Sequence, residues 1–297
     1  MNGPRPAVFL AEVEKQLKCA GVFSPRAEAE ILVRHYGKLE RLDLFTGQKP
    51  LPKSAKAVII RAIQKRRRGI PLAYLTNEAF FWGHVFHVKP GVLIPRPETE
   101  RLVEEALKVV DAHFKDKKPE ILDLGTGSGC IAVSLTLERA HCRMTALDAS
   151  PTALGIARKN IKRHGLNQKI RLVKSRLFGS FGTKRGLWDM IVSNPPYVPT
   201  GAISKLSKEV RNEPSLALDG GREGLDVLEA ILTQAPGFLK PGGHLLMEIG
   251  EGQSKKIARR WRWDREYDKF QFEKDLNGIE RILIARKKRS RDRSLDG

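Results

Sequence analysis

Two consecutive prolines, Pro195 and Pro196, limit what the surrounding chain can fold into. They follow a short apolar run at 188–192, which is too short for a helix and is typical of a buried strand. Proline has no backbone N–H and fixes its own φ, so the strand cannot continue beyond Asn194. Because proline also holds the preceding residue in an extended conformation, Asn194 is predicted to stand at the carboxyl end of this strand.

The segment that begins at Asn194 offers a distinctive set of chemical groups. In an open α/β sheet, ligands bind at the carboxyl ends of the strands. The side-chain carbonyl of Asn194 and the backbone carbonyl of Pro195 are neighbouring acceptors, and Tyr197 adds an aromatic face. Such a site suits a planar group that carries an amino group. Taken alone, the motif could equally be a strand-terminating turn, and the rest of the chain must decide.

A glycine loop lies upstream, where an apolar run at 121–124 is followed by Gly125–Gly129 in GxGxG spacing and then by an apolar helical pattern. Glycines allow a sharp strand-to-helix turn and bring backbone N–H groups close to a ligand. The spacing differs from the GxGxxG of dinucleotide-binding folds. A second strand, 144–147, ends in Asp148, and an acidic residue about 20 positions beyond such a loop can accept hydrogen bonds from a ribose.

The order of these features predicts the fold. Strand, glycine loop, helix, strand ending in Asp148, helix, and a strand ending at Asn194 follow one another, and further strand patterns occur at 243–249 and 280–284. This succession is typical of a mostly parallel, doubly wound α/β sheet. The apolar residues of 7–70 recur instead at helical spacing, which indicates a small N-terminal helical domain.

The chain is accordingly divided into four predicted segments. They are a helical domain at 1–70, a linker hairpin at 71–95, the doubly wound domain at 96–286, and a basic tail at 287–297 that we expect to be disordered.

Charge and cysteine content bear on the function class. Among 297 residues, 54 Lys and Arg against 34 Asp and Glu give a net charge of +20, which attracts nucleic acid, ribonucleoprotein or acidic proteins without choosing among them. The basic runs at 65–68 and 286–289 are interpreted as solvated faces or frayed ends. Cys19, Cys130 and Cys142 lack metal or disulfide spacing. No apolar run suits a membrane span or signal peptide, so we expect a cytoplasmic protein without metal.

With these motifs in view, the chain resembles the release-factor glutamine methyltransferases, the PrmC or HemK family of the class I S-adenosylmethionine-dependent methyltransferases. The resemblance covers nearly the whole chain and rests on the stretches 69–74, 93–100, 123–129, 194–197 and 275–281. Asn-Pro-Pro-Tyr is shared with methyltransferases that act on adenine and other exocyclic amines. The Pro-Arg-Pro-Glu-Thr-Glu stretch is what points to glutamine.

The resemblance implies a Rossmann-like class I methyltransferase domain, preceded by a helical domain that docks the release factor, in a monomeric enzyme. The substrate would be the glutamine of the Gly-Gly-Gln motif of a peptide-chain release factor. Asn194 and Pro195 would be catalytic and, with Pro196 and Tyr197, would bind the substrate. S-adenosylmethionine would be bound by Gly125, Thr126, Gly127, Ser128, Gly129, Asp148, Leu177 and Asn194.

The chain departs from the family pattern at three positions. Arg176 stands where the family usually has Asp before Leu-Phe, which implies a weaker hydrogen bond to the adenine amino group. Asn77 and Phe80 stand where Gly and Glu are expected.

Two alternative functions stay open at this point. The net charge is also compatible with a nucleic-acid methyltransferase that uses the same pocket for an exocyclic amine. Arg176 is compatible with a non-catalytic RNA- or ribosome-associated binding protein.

Overall fold

The structure is a computed structural model that describes residues 6–260 and 265–289. The chain forms two compact units. One comprises the described residues up to Glu78 together with Leu206–Asn212, and the other comprises Ala79–Lys205 and the described residues from Glu213 onward.

The helices and strands are, in chain order, α1 Pro6–Cys19, α2 Pro25–Gly37, α3 Asp43–Thr46, α4 Lys53–Arg67, α5 Leu72–Thr76, β1 Glu78–Phe81, β2 His84–His87, α6 Glu100–His113, β3 Glu120–Leu124, α7 Cys130–Glu138, β4 Arg143–Asp148, α8 Pro151–Arg163, β5 Ile170–Lys174, β6 Trp188–Ser193, α9 Lys208–Arg211, α10 Asp226–Phe238, β7 Leu239–Glu248, α11 Gln253–Arg260, β8 Tyr267–Lys274 and β9 Glu280–Lys287. Short 3-10 turns occur at Pro97–Thr99, Gly179–Phe181, Thr200–Lys205 and Ser215–Ala217.

The first unit is helical, and α1, α2 and α4 contribute most of its apolar core. Arg66, which the sequence placed in a solvated basic run, is instead buried in this unit. Its guanidinium donates to both carboxylate oxygens of Glu28 at 2.7 and 2.9 Å, and to Glu209 at 2.5 Å. A cation is tolerated inside a protein only when it is paired in this way, so the solvated interpretation was wrong for this residue.

A two-stranded hairpin of β1 and β2 follows the first unit's helices. Trp82 and Gly83 form its turn with φ of 50° and 70°, the left-handed conformation that two-residue hairpin turns require. The short helix α5 also lies within the segment that was predicted as a hairpin.

The second unit contains a seven-stranded sheet in the order β5-β4-β3-β6-β7-β9-β8. Strands β3 to β7 are parallel, whereas β9 is antiparallel to both β7 and β8. This confirms the predicted α/β doubly wound fold with a helical region before it. Asp123 of β3 is in register with Ala146 of β4 and Val192 of β6, so the ends of these three strands lie side by side.

Two sequence predictions concern the chain's termini and its relation to membranes. Strand β9 extends to Lys287, and the remainder of the predicted tail from residue 290 lies outside the described residues. Within the described ranges, no helix has the length and apolarity that crossing a membrane requires.

Candidate active site

A cavity of about 380 Å³ opens in the second unit at the carboxyl ends of β3, β4 and β6. Nine of the predicted site residues line this cavity: Gly125, Thr126, Gly127, Ser128, Asp148, Leu177, Asn194, Pro195 and Pro196. Gly129 and Tyr197 are not among the residues that line it. Prolines, glycines and a strand-end acid therefore converge on one edge of the sheet, as their positions along the chain predict.

The glycine loop is closed onto the neighbouring strand. The N–H groups of Gly125 and Thr126 both donate to the carbonyl of Leu147 at 2.8 Å. The N–H of Gly127 donates to Asp148 Oδ2 at 2.9 Å. These three donors are used within the fold, which differs from the expectation that the loop presents its N–H groups to a ligand. The absence of side chains at the glycines is what lets a ligand approach the backbone here.

Gly129 has a packing role. A Cβ built at this position would lie 3.3 Å from the Cβ of Ala157 on α8. The φ of Gly129 is +84°, a conformation that L-residues with side chains rarely adopt. Gly129 therefore permits α7 to begin close against α8.

Asp148 is oriented by two backbone donors at the end of β4. Its Oδ1 accepts from Ser150 N at 2.8 Å, and its Oδ2 accepts from Gly127 N. Burial raises the pKa of Asp148, and the hydrogen bonds from Ser150 and Gly127 oppose that rise. Each carboxylate oxygen keeps a lone pair, so Asp148 can still accept hydrogen bonds from the hydroxyls of a ribose.

Asp123 lies beneath the glycine loop and is 0% exposed. Its Oδ2 accepts from Thr126 Oγ1 at 2.5 Å and from Ala132 N at 3.2 Å. Its Oδ1 has no hydrogen-bond partner in the part of the chain that the structure describes. Burial raises the pKa of Asp123 to about 7. Asp123 is not among the residues that line the cavity, and it supports the glycine loop from beneath through Thr126.

Arg176 and Leu177 form the cavity wall beyond β5. The Arg176 side chain is exposed, whereas Leu177 is half-buried and has a φ of +47°. A branched residue in the left-handed region is strained, and such strain is concentrated at ligand sites. A cation thus lies at the edge of the cavity, at the position where the resemblance implies a carboxylate.

Asn194 directs its carbonyl away from the fold's own donors. Its Nδ2 donates to Thr99 Oγ1 at 2.9 Å. Neither Asn194 Oδ1 nor the carbonyl of Pro195 accepts a hydrogen bond from a described residue. Ser193 Oγ, one residue earlier, donates to the carbonyl of Leu124 at 2.7 Å and ties the end of β6 to β3. Two acceptors are therefore open beside the cavity.

Thr99 and Glu248 are site residues that sequence reasoning missed. Thr99 is 2% exposed and Glu248, the last residue of β7, is 1% exposed. Thr99 Oγ1 donates to Glu248 Oε2 at 2.6 Å, and the hydroxyl of Tyr197 donates to Glu248 Oε1 at 3.1 Å. Burial raises the pKa of Glu248 to about 7. An acid in the otherwise apolar strand pattern of 243–249 was the available signal.

Arg96 is paired with an acid that is distant in the sequence. Its guanidinium donates to Glu213 Oε1, and Glu213 Oε2 also accepts from the N–H of Ile94 at 2.9 Å. Glu213 is buried, so these bonds hold the segment around Arg96 against the cavity.

Comparison with known proteins identifies the family. Residues 100–221 match the model of the methyltransferase small domain, and residues 9–76 match the PrmC N-terminal domain. A release factor glutamine methyltransferase of Nitratidesulfovibrio vulgaris is 38% identical over 285 residues, covering 94% of each chain. One of Salmonella typhimurium is 37% identical over 279 residues, covering 94% of this chain and 97% of its own. The chain belongs to the release factor glutamine methyltransferases.

Solved structures add the fold of this methyltransferase. The T. thermophilus 16S rRNA N2 G1207 methyltransferase RsmC, in complex with AdoMet and guanosine, is similar with a TM-score of 0.51 at 20% identity, over 71% of this chain and 50% of its own. The N-terminal domain of human METTL16 in complex with SAH is similar with a TM-score of 0.50 at 16% identity, over 84% of this chain and 89% of its own. The family and this fold give S-adenosylmethionine as the cofactor, and Asp148 and the glycine loop at the cavity wall fit it.

Proposed function

We propose that this methyltransferase transfers a methyl group to the side-chain amide nitrogen of the glutamine in the Gly-Gly-Gln motif of a peptide-chain release factor. The observation that carries the proposal is the pair of open acceptors, Asn194 Oδ1 and Pro195 O, beside a cavity whose residues fit S-adenosylmethionine. Relatives that cover nearly the whole chain are release factor glutamine methyltransferases, which supports a release-factor glutamine as the substrate.

The two acceptors address the main chemical difficulty of the reaction. A carboxamide nitrogen is a poor nucleophile because its lone pair is delocalised into the carbonyl. When bound, S-adenosylmethionine supplies an electrophilic methyl group on a sulfonium. Asn194 and Pro195 hold the two amide hydrogens, turn the nitrogen towards that methyl group and stabilise the positive charge that develops on it. Methyl transfer would break the carbon–sulfur bond of the sulfonium and leave a neutral thioether, and the nitrogen would then lose one proton to water.

Residue roles follow from this arrangement. Asn194 and Pro195 are the proposed catalytic residues, and Pro196 and Tyr197 complete the substrate site. The proposed cofactor contacts are Gly125, Thr126, Gly127, Ser128, Asp148, Leu177 and Asn194, while Gly129 shapes the loop through its packing on Ala157.

The test measures methyl transfer from labelled S-adenosylmethionine to release factor, DNA and RNA in parallel, with the labelled residue mapped. Asn194→Ala is expected to lower kcat about 10²- to 10³-fold and to leave cofactor affinity nearly unchanged. Asn167→Ala, at an exposed position outside the cavity, is the matched control and should keep the wild-type rate. A release factor with Glu in place of the acceptor Gln should not be methylated.

Other outcomes would replace the proposal. A wild type that methylates nucleic acid and ignores release factor is an exocyclic-amine methyltransferase. A wild type that binds the cofactor and methylates none of the three substrates is a non-catalytic binding protein.

We further propose that the enzyme is a cytoplasmic monomer that works close to RNA, as on a ribosome. Between Asp148 and Asp189 the chain contains no Asp or Glu but ten Lys and Arg. All ten are exposed, and they lie on α8, on the edge strand β5 and in the adjoining loops: Arg158, Lys159, Lys162, Arg163, Lys169, Arg171, Lys174, Arg176, Lys184 and Arg185. We call these ten positions the acid-free face, after the absence of Asp and Glu from this stretch of the sequence, and their exposed positive charge favours a polyanion.

A further inference from the structure

A buried hydrogen-bond chain links the catalytic amide to a carboxylate. Asn194 Nδ2 donates to Thr99 Oγ1 at 2.9 Å, and Thr99 Oγ1 donates to Glu248 Oε2 at 2.6 Å. Thr99 ends the 3-10 turn Pro97–Thr99 and Glu248 ends β7, so regular structure holds both of these residues in place. Thr99 and Glu248 lie 149 residues apart in sequence.

While Glu248 is a carboxylate, the donors and acceptors of this hydrogen-bond chain allow only one direction. A carboxylate only accepts hydrogen bonds, and a hydroxyl has one proton to donate and two lone pairs. Because the proton of Thr99 is committed to Glu248, only the lone pairs of Thr99 face Asn194. The group of Asn194 that meets them must therefore be a donor, which is its Nδ2.

The opposite orientation of the Asn194 amide is unfavourable for binding and for chemistry. A flipped amide would set its Oδ1 against the Thr99 oxygen with no proton between them, so that buried hydrogen bond would be lost. It would also present an amino group to the amide hydrogens of the substrate, where an acceptor is needed. The correct end of the amide is thus selected before the substrate arrives.

Glu248 acts at both ends of the Asn-Pro-Pro-Tyr segment. Its Oε1 accepts from the hydroxyl of Tyr197 at 3.1 Å. Burial raises the pKa of Tyr197, so this hydroxyl stays protonated and donates. One carboxylate therefore fixes the side chains of the first and last residues of the segment.

We propose that Thr99 and Glu248 are positioning residues that set which end of the Asn194 amide faces the substrate. The inference rests on the proposed function, because it assigns Asn194 Oδ1 to the substrate amide. It adds two residues that act through Asn194 and do not themselves touch the reacting atoms.

Steady-state methylation of release factor tests the proposal. Thr99→Val removes the hydroxyl at nearly constant volume and is expected to lower kcat about 10- to 100-fold, with cofactor Kd changed less than about 2-fold. Thr99→Ser restores the hydroxyl and should stay within about 3-fold of the wild-type kcat. Thr136→Val is the matched control, because Thr136 is equally buried but donates only to Ala132 O within α7 and lies outside the cavity wall.

A double-mutant cycle separates positioning from general structural support. In the Asn194→Ala background no amide remains to be oriented, so Thr99→Val should change the residual rate less than about 2-fold. A Thr99→Val loss of equal size in both backgrounds, or an undiminished kcat in the wild-type background, would refute the positioning role.

A second readout does not depend on the substrate. In ¹⁵N-labelled protein, the side-chain amide signals of Asn194, assigned by their absence in Asn194→Ala, should show one proton protected from exchange. That protection should be lost in Thr99→Val and kept in Thr99→Ser and Thr136→Val. Unchanged protection in Thr99→Val overturns the inference even if release factor is methylated. Conversely, a wild type that ignores release factor but shows this pattern contradicts the proposed function alone.

Discussion

At the scale of single residues, Glu248 is the most constrained side chain of the site. The groups that face it are Thr99, Tyr197, Glu98 and Arg281, of which Glu98 raises its pKa and Arg281 lowers it. Burial outweighs the hydrogen bonds and brings the pKa to about 7. The hydrogen-bond chain from Asn194 through Thr99 requires Glu248 to be a carboxylate. A protonated Glu248 could itself donate to Thr99 and release the Thr99 proton towards Asn194.

The first prediction is a pH dependence of kcat. The rate should fall as pH decreases through about 7, where Glu248 takes up a proton. Asp123, with a pKa of about 7, titrates in the same range. Glu248→Gln should therefore lower the rate at about pH 8.5 and flatten the profile without abolishing its slope. A Glu248→Gln profile identical to that of the wild type would show that Glu248 does not set it.

The stability of the same variant should change in the opposite sense. Because the pKa of Glu248 is raised in the folded state, its favourable contribution is present below about pH 4.5 and is lost as pH rises through about 7. The difference between these pKa values corresponds to about 3 kcal/mol at alkaline pH. Denaturant unfolding at about pH 8 should show Glu248→Gln to be no less stable than the wild type, so lost activity would not reflect unfolding.

A second prediction at this scale concerns Arg176. Arg176→Asp restores the carboxylate that the family usually has and should tighten cofactor binding about 5-fold, the equivalent of one hydrogen bond of about 1 kcal/mol. Arg171→Asp makes the same charge change on β5 outside the cavity wall and is the control. Calorimetry that shows equal tightening in both variants would attribute the effect to net charge, and no tightening would mean that adenine is held otherwise.

At the scale of elements, the backbone of the Asn-Pro-Pro-Tyr segment is clamped by two later parts of the chain. Gln253, at the start of α11, donates from Nε2 to the carbonyls of Tyr197 and Gly224 at 2.9 and 3.0 Å. Gly220 and Gly224 pack directly on the segment, since a Cβ on Gly220 would lie 2.7 Å from Pro196 O. Two glycines outside the cavity wall therefore allow the chain to pack closely on the segment.

Gly224→Ala tests this clamp. Its Cβ would meet Tyr197 O at 2.2 Å, and its φ is +74°. Gly252 is a matched control, because it has the same φ of +74° but nothing lies within 4 Å of its Cβ. Gly252→Ala should cost about 1 kcal/mol in the free energy of unfolding. Gly224→Ala should cost more and also lower kcat, and equal effects of the two substitutions would argue against the clamp.

At the scale of the whole molecule, the charge is distributed unevenly. The net charge of +20 includes the ten cations of the acid-free face. One of these cations, Arg176, also borders the cavity. The basic runs at 65–68 and 286–289 were interpreted as solvated surface. The cations between Asp148 and Asp189 occur singly or in pairs and form no such run. The structure adds that all ten side chains are exposed.

The final prediction distinguishes a local RNA surface from diffuse charge. Lys159→Glu, Lys162→Glu and Arg171→Glu combined should weaken binding of a single-stranded RNA probe and reduce the slope of log K against log salt by about 2. The control combines Lys53→Glu, Arg61→Glu and Lys65→Glu on α4, which are also exposed and make the same change in net charge. Equal losses in both triple variants would contradict a specific role of the acid-free face.

Much of this protein's fold is determined by short stretches of its sequence. The prolines after Asn194, the glycines of the loop and Asp148 restrict the backbone or end a strand by their own chemistry, so their positions alone predicted the fold and the edge of the sheet that carries the cavity. Only the tertiary structure decided which side chains are hydrogen-bonded to each other. Thr99 meets Glu248 across 149 residues and Arg96 meets Glu213 across 117. A side chain's partner, its burial and its pKa depend on which distant elements pack beside it, and no residue carries that information by itself.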